Sequence, residues 1–170
     1  MVIALTADDR GVQQALHDKI ARLTHPRPLL LMLGEHLTES TRMRFREAKA
    51  PDGTRWAPNT RTTIERYLGE RGGYSAKTGK ISAKGTALAT AKQPLTGATR
   101  LLGSQIIYQA DDSVLQIGSN RIYAAVQHFG ADKGSLGGGA PWGDIPARPY
   151  LGLSVQDRAY VLEAVAEYVE

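Results

Sequence analysis

The sequence contains no cysteine among its 170 residues. This absence excludes disulfide bonds, cysteine-based zinc sites, iron–sulfur clusters and thiol nucleophiles, and a chain of this length can bury a core without such cross-links. The longest apolar run, residues 29–33, is far shorter than the roughly 20 residues that cross a bilayer. The first thirty residues also lack the basic start, apolar stretch and cleavage site of a secretory signal. We therefore expect a single soluble domain over residues 1–170 that has no contact with a membrane.

Catalytic and metal-binding motifs are missing as well. The four histidines do not show the spacings of zinc-binding helices, and no serine lies in the glycine frame of a nucleophile elbow. Gly73 and Gly79 enclose five residues, whereas the phosphate-binding P-loop has four between its glycines. The sequence therefore predicts a protein that is not an enzyme and that has no cofactor or metal.

Positive charge is concentrated in the middle of the chain. Residues 41–105 hold thirteen basic and four acidic side chains, whereas residues 106–170 hold four basic and eight acidic ones. Between residues 75 and 105 there is no acidic residue, and a segment of this kind lies either near phosphate groups or in solvent. A nucleic-acid-binding module that uses residues 75–105 is therefore the alternative function, although this segment lacks the aromatic side chains that stack on bases. The candidate DNA-facing residues are Lys77, Lys80, Lys84 and Lys92.

Hydrophobic periodicity predicts the N-terminal half. Residues 1–6 are typical of a short strand, and residues 8–23 of an amphipathic helix. The prolines at 26 and 28 end this helix, and Pro28 can begin a second one, so that the two helices form a hairpin. The predicted apolar stripes are Val12, Leu16, Ile20 and Leu23 on the first helix, and Leu30, Leu33, Leu37, Thr41 and Phe45 on the second.

The second half adds a small sheet and a last helix. Residues 104–109 and 114–117 flank an Asp-rich turn and are typical of a β-hairpin, and a short helix is indicated near residues 95–102. Ser154 and Asp157 form a helix-capping pattern before a predicted C-terminal helix. Glycine-rich and small-residue segments at 69–94 and 131–144 indicate flexible loops. The fold class is α+β, with the helical hairpin and the C-terminal helix packed on a small antiparallel sheet. The apolar stripe of the last helix is Val155, Ala159, Leu162, Ala166 and Val169.

Six short motifs occur in a fixed order along the chain and resemble the phage virion morphogenesis family. Each motif alone is weak, but the ordered series covers nearly the whole sequence. The motifs are Arg44-Phe45, PDGTRWAP at 51–58, LTGATRL at 95–101, IGSNRIYA at 117–124, HFG at 128–130 and IPARPYLGLS at 145–154.

The resemblance implies a structural protein of tailed phages that completes the tail and joins it to the head. Such a protein assembles in the host cytoplasm and is found in the virion, in the neck or at the head-proximal end of the tail. The resemblance implies a homo-oligomeric ring, six-fold by analogy, with neighbouring neck, connector or tail-tube proteins as partners. DNA in the lumen, bound without sequence specificity, is a further partner that the basic segment suggests.

The interface residues that follow from the resemblance centre on the Pro-Ala-Arg-Pro motif. Pro146 and Pro149 hold an extended stretch around Arg148, whose planar fork of donors can bind a carboxylate or backbone carbonyls. The fork binds either a neighbouring subunit or its own chain. Trp56 and Tyr123 are candidates for the interface or for the core. The predicted interface set is Arg148, Pro146, Pro149, Tyr150, Trp56, Tyr123 and His128.

Overall fold

The structure is a computed structural model, which describes residues 10–97, 100–135 and 144–170. The predicted strand at residues 1–6 lies outside the described residues. Within them the structure contains seven helices and a two-stranded antiparallel sheet, so the α+β class is confirmed. The helices are α1 (Arg10–Thr24), α2 (Arg27–Glu47), α3 (Arg61–Glu70), α4 (Ala83–Ala91), α5 (Leu101–Ser104), α6 (Ala124–Phe129) and α7 (Val155–Val169), and the strands are β1 (Ile106–Ala110) and β2 (Leu115–Ser119).

Helix α2 is the centre of the fold, because it packs on both strands and on α7. Leu33, Leu37, Thr41 and Phe45 are buried, as the periodicity predicts. Gly34 lies directly under the ring of a β1 tyrosine, where a Cβ atom would overlap that ring. This glycine therefore lets the sheet approach the helix closely.

Helices α1 and α2 are separated only by His25 and Pro26, so the predicted break is confirmed. In place of the predicted hairpin contact with α2, α1 packs against α7. The Tyr168 hydroxyl donates to the backbone oxygen of His25 (2.9 Å), and Arg22 donates to the backbone oxygen of Tyr168 (3.3 Å). Pro26 has a helical backbone conformation, and a two-residue break of this kind leaves little chain for a reversal of direction.

The predicted β-hairpin is confirmed. Strands β1 and β2 pair from Ile106↔Ser119 to Ala110↔Leu115. The Asp111 carboxylate accepts hydrogen bonds from the backbone N–H groups of Ser113 and Val114 and so closes the turn. Beneath the hairpin lies the main core cluster, formed by Phe45, Trp56, Leu102, Ile106, Ala124 and Tyr150.

Helix α7 is present and capped as predicted, but the predicted buried face is wrong. Val155 and Leu162 are 78% and 71% exposed. The helix instead buries Asp157 and Ala164 and half-buries Tyr160. The reason is that Asp157 pairs with an arginine of α2, and this pair sets the rotation of α7 about its own axis.

The predicted loop at 69–94 is partly wrong, because residues 83–91 form helix α4. The Ser82 hydroxyl caps this helix by accepting a hydrogen bond from Gly85 N–H. Gly85 packs so closely on Gly73 that a Cβ atom would overlap the Gly73 carbonyl oxygen. Small side chains that suggest a loop thus allow α3 and α4 to pack together.

In the second predicted loop, residues 136–143 lie outside the described residues, and Ala131 pairs with Ile145 in a short bridge.

Candidate functional site

The structure separates the predicted site residues into a buried group and an exposed group. Trp56, Arg148 and Tyr150 are at most 6% exposed, and His128 and Pro146 are half-buried. Tyr123 is 41% exposed. Pro149 and three of the four candidate lysines (Lys77, Lys80 and Lys84) are also exposed, whereas Lys92 is half-buried.

The guanidinium group of Arg148 forms its hydrogen bonds within its own chain. Its Nε donates to the Ala57 oxygen at 2.9 Å, and its Nη2 donates to the Pro58 oxygen at 3.0 Å. The indole N–H of Trp56 donates in return to the Pro149 oxygen at 2.7 Å. Burial lowers the pKa of Arg148 from its ordinary value. These contacts give the intrachain alternative a physical basis, and a contact of Arg148 with another subunit stays a prediction.

We expect Arg148→Lys to lower the free energy of unfolding of the isolated chain by about 1–3 kcal/mol, since hydrogen bonds to charged groups contribute about that much. The lysine keeps the charge but cannot reach both carbonyls with a planar fork. Urea unfolding measures the change, with the exposed Arg158→Lys as the matched control. An unchanged midpoint for Arg148→Lys would show that these bonds do not stabilise the fold.

His128 holds the chain that follows Arg148. Its Nδ1 accepts hydrogen bonds from the backbone N–H groups of Tyr150 (3.3 Å) and Leu151 (3.5 Å). The Tyr150 ring packs edge-on to the imidazole, and its hydroxyl donates to the Ala124 oxygen. Burial lowers the pKa of His128 and raises the pKa of Tyr150. A neutral His128 is therefore part of the folded structure.

His128 is expected to make stability depend on pH. Because its folded pKa is below the unfolded value of about 6.5, its contribution is complete above that pH and is lost as the pH falls through the folded pKa. His128→Asn keeps an acceptor near the Nδ1 position but does not titrate. We expect the loss of thermal stability between pH 7.5 and pH 5.5 to be smaller in this variant than in the wild type. An identical loss in both proteins would contradict this role, and the exposed His17→Asn serves as the control.

Sequence patterns gave no indication of the buried pair of Arg44 and Asp157. Arg44 Nη2 donates to the Asp157 carboxylate at 2.5 Å, and Arg44 Nη1 donates to the Tyr150 oxygen at 2.8 Å. Burial alone would raise the pKa of Asp157, but hydrogen bonds from Ser40 and Ser154 and the Arg44 charge hold it below its ordinary value. The capping pattern marked Asp157, yet nothing local marked Arg44 as its partner.

Two of the predicted site residues, Tyr123 and Lys92, line a basic groove of about 340 Å³ between α3, residues 92–97 and α6. Lys92 Nζ and Arg71 Cζ lie 5.1 Å and 5.7 Å from the centre of the Tyr67 ring. Burial lowers the pKa of Lys92, and the positive charges of Arg100 and Arg71 lower it further. Within the described residues, no carboxylate lies within 4 Å of these three cations, although Arg66 beside them pairs with Glu70. We define the basic groove as Arg66, Tyr67, Glu70, Arg71, Lys92 and Tyr123; Arg100 lines the adjacent hollow, which shares Leu95 and Thr96 with the groove.

Apolar side chains are exposed in two regions of the single chain. On α1, Leu16, Ile20 and Leu23 of the predicted stripe are each at least 55% exposed. On α6 and just before it, Ile122 and Phe129 are 98% and 76% exposed. Together with the outward stripe of α7, these side chains are typical of surfaces that bind another protein.

Metal-binding clusters and membrane-spanning helices are both absent from the described residues. In residues 10–97, 100–135 and 144–170, no group of three or more histidine or acidic side chains is arranged to hold a metal ion. None of the described helices combines the length and the apolar character that a membrane span needs.

Comparison with known proteins places the chain among phage proteins. The sequence matches the phage virion morphogenesis family over residues 7–170. It is 36% identical over 77 residues to "Mu-like prophage FluMu G protein 2" of Haemophilus influenzae, which covers 45% of this chain and 52% of that protein. The chain thus spans about half the length of this curated relative, and no solved structure shows a significant match. Because the family match extends over almost all of the sequence, the chain belongs to the phage virion morphogenesis family, and its role lies in building the phage particle.

Proposed function

We propose that this protein completes the phage tail and joins it to the head as a subunit of a homo-oligomeric ring at the neck or the head-proximal tail end. Its role in this proposal is structural and not catalytic, and it is incorporated into the virion. The single observation that carries the proposal is that a chain of this family leaves long apolar helix faces open, above all Leu16, Ile20 and Leu23 of α1. Such faces need a partner, and a ring of identical subunits supplies one without any further protein.

The test removes the gene for this chain from the phage that carries it. We expect filled heads and free tails that do not join, and we expect the wild-type chain supplied in trans to restore joined, infectious particles. Electron microscopy of the particles and the mass of the purified protein at several concentrations are the measurements. Joined particles in the absence of the chain would contradict the proposal.

Binding of DNA by the basic segment is the second candidate function. It is supported by the exposure of Lys77 and Lys80, on the turns before α4, and of Lys84 in its first turn. If these lysines face DNA, their triple replacement by glutamine should leave the fold intact and lower DNA retention in the particles. The DNA affinity of the wild-type protein should also fall steeply as the salt concentration rises. Unchanged retention would assign the lysines to contact with solvent.

A further inference from the structure

The basic groove holds more positive charge than its own chain balances. Arg71 and Lys92 converge on Tyr67, and Arg100 lies in the adjacent hollow. Glu70, the acidic residue among the described lining residues, pairs with Arg66, so no described carboxylate lies within 4 Å of Arg71, Lys92 or Arg100. Like charges brought together on a folded surface repel each other, and an anionic partner relieves that repulsion. The groove therefore fits a partner with negative charge.

The same chain carries a matching surface on α7. Glu163 and Glu167 are exposed, and at four residues apart they lie on one side of the helix; the exposed Glu170 follows directly after its last residue. No described cation lies within 4 Å of these three carboxylates. This acidic row runs directly beside the open apolar stripe that contains Leu162 and Ala166.

One exposed apolar side chain directly precedes the groove in the sequence. Ile122, the neighbour of the lining residue Tyr123, is 98% exposed. Phosphate groups of DNA offer no apolar surface to cover it, whereas the α7 surface presents Leu162 beside its glutamates. An acidic helix with apolar side chains therefore fits this region better than a nucleic acid does.

We infer that the basic groove of one subunit binds the acidic outer face of α7 of the next subunit. The two surfaces use different elements, since α7 packs on α1 and α2 and the groove is formed by α3, residues 92–97 and α6. One chain can therefore present both surfaces at once, which a head-to-tail contact requires, and repetition of that contact closes a ring. The inference rests on the proposed function and names the contact that would build the ring.

Charge reversal tests the contact. The groove variant is Arg71→Glu with Arg100→Glu, and the helix variant is Glu163→Lys with Glu167→Lys; all four side chains are exposed, so we expect the isolated folds to be stable. Each variant alone is expected to fail to enter phage particles and to lose any self-association of the wild type. Produced together in the same cells, the two variants again match each other in charge at every contact. We therefore expect the mixture to restore incorporation, with both variants in equal amounts.

A matched control separates this contact from a general effect of charge. Arg55→Glu with Lys133→Glu changes the net charge as much as the groove variant does. Both side chains are exposed and neither lines the groove, so we expect this variant to enter particles normally. Incorporation of both single variants, or no restoration by the mixture, would overturn the inferred contact and leave the proposed function standing. A groove variant that assembles but loses DNA would assign the groove to nucleic acid. Absence of the wild-type chain from particles would overturn the proposed function, and the inferred contact with it.

Discussion

Asp157→Ala is expected to lower the free energy of unfolding by about 3–5 kcal/mol, because it leaves the Arg44 guanidinium buried without its counter-charge. Asp157 is 2% exposed and Arg44 is 6% exposed, so water cannot replace the lost carboxylate well. The substitution also removes the acceptor for the N–H and hydroxyl of Ser154 at the start of α7. Of the substitutions proposed for this protein, we expect this one and Trp56→Ala to have the largest effects on stability.

Urea unfolding followed by circular dichroism measures the Asp157→Ala effect, and the exposed Asp112→Ala is the control, expected within about 0.5 kcal/mol of the wild type. The lowered pKa of Asp157 adds a dependence on pH. Its stabilisation is complete above the unfolded pKa of about 4 and is lost as the pH falls through the folded pKa. The difference between wild type and variant should therefore shrink in acid. A variant as stable as the wild type at pH 7 would show that the pair does not hold α7 in place.

Trp56→Ala is expected to cost about 3–5 kcal/mol, the range for loss of a buried aromatic side chain. The indole packs edge-on to Phe45, with ring centres 5.3 Å apart, and is 6% exposed. Its N–H also satisfies the Pro149 oxygen, which keeps the segment around Arg148 on the core. This environment favours the interpretation of Trp56 as a core residue.

Thermal and urea unfolding of the isolated chain test this effect. Ile122→Ala is the matched control, because this large apolar side chain is 98% exposed and its loss should change stability by no more than about 0.5 kcal/mol. Equal effects of the two substitutions would contradict a core role for Trp56. If Ile122→Ala lowers incorporation into particles while the isolated chain remains stable, the result also supports the subunit contact inferred above.

Local patterns predicted most of the elements, because their causes lie within a few residues of each other. Pro26 and Pro28 mark the break between α1 and α2, and Asp111 closes the hairpin turn with its own neighbours. The Ser154 and Asp157 cap at α7 is of the same kind. Helix α4 was missed because its small residues resemble a loop, and its stability depends on Gly73, ten residues before its first turn.

The predicted site residues do not form one site in the structure. Arg148 and Tyr150 were predicted at a subunit interface, and the structure gives their polar groups partners within the chain. The basic groove was foreseen only as an excess of charge in the middle of the sequence. The positive charges of the groove converge because the tertiary structure brings α3 and residues 92–97 together around Tyr67.

The sequence by itself determined the α+β class, the position of the last helix and the membership in a family of phage virion proteins, because periodicity, capping and ordered motifs are local or linear properties. Only the tertiary structure decided which face of α7 is buried. Arg44 and Asp157 are 113 residues apart, and a buried charge must meet its partner even at the expense of apolar burial. That pairing turns Leu162 and its neighbours outward, and it is the physical reason why the single chain exposes a surface suited to another subunit.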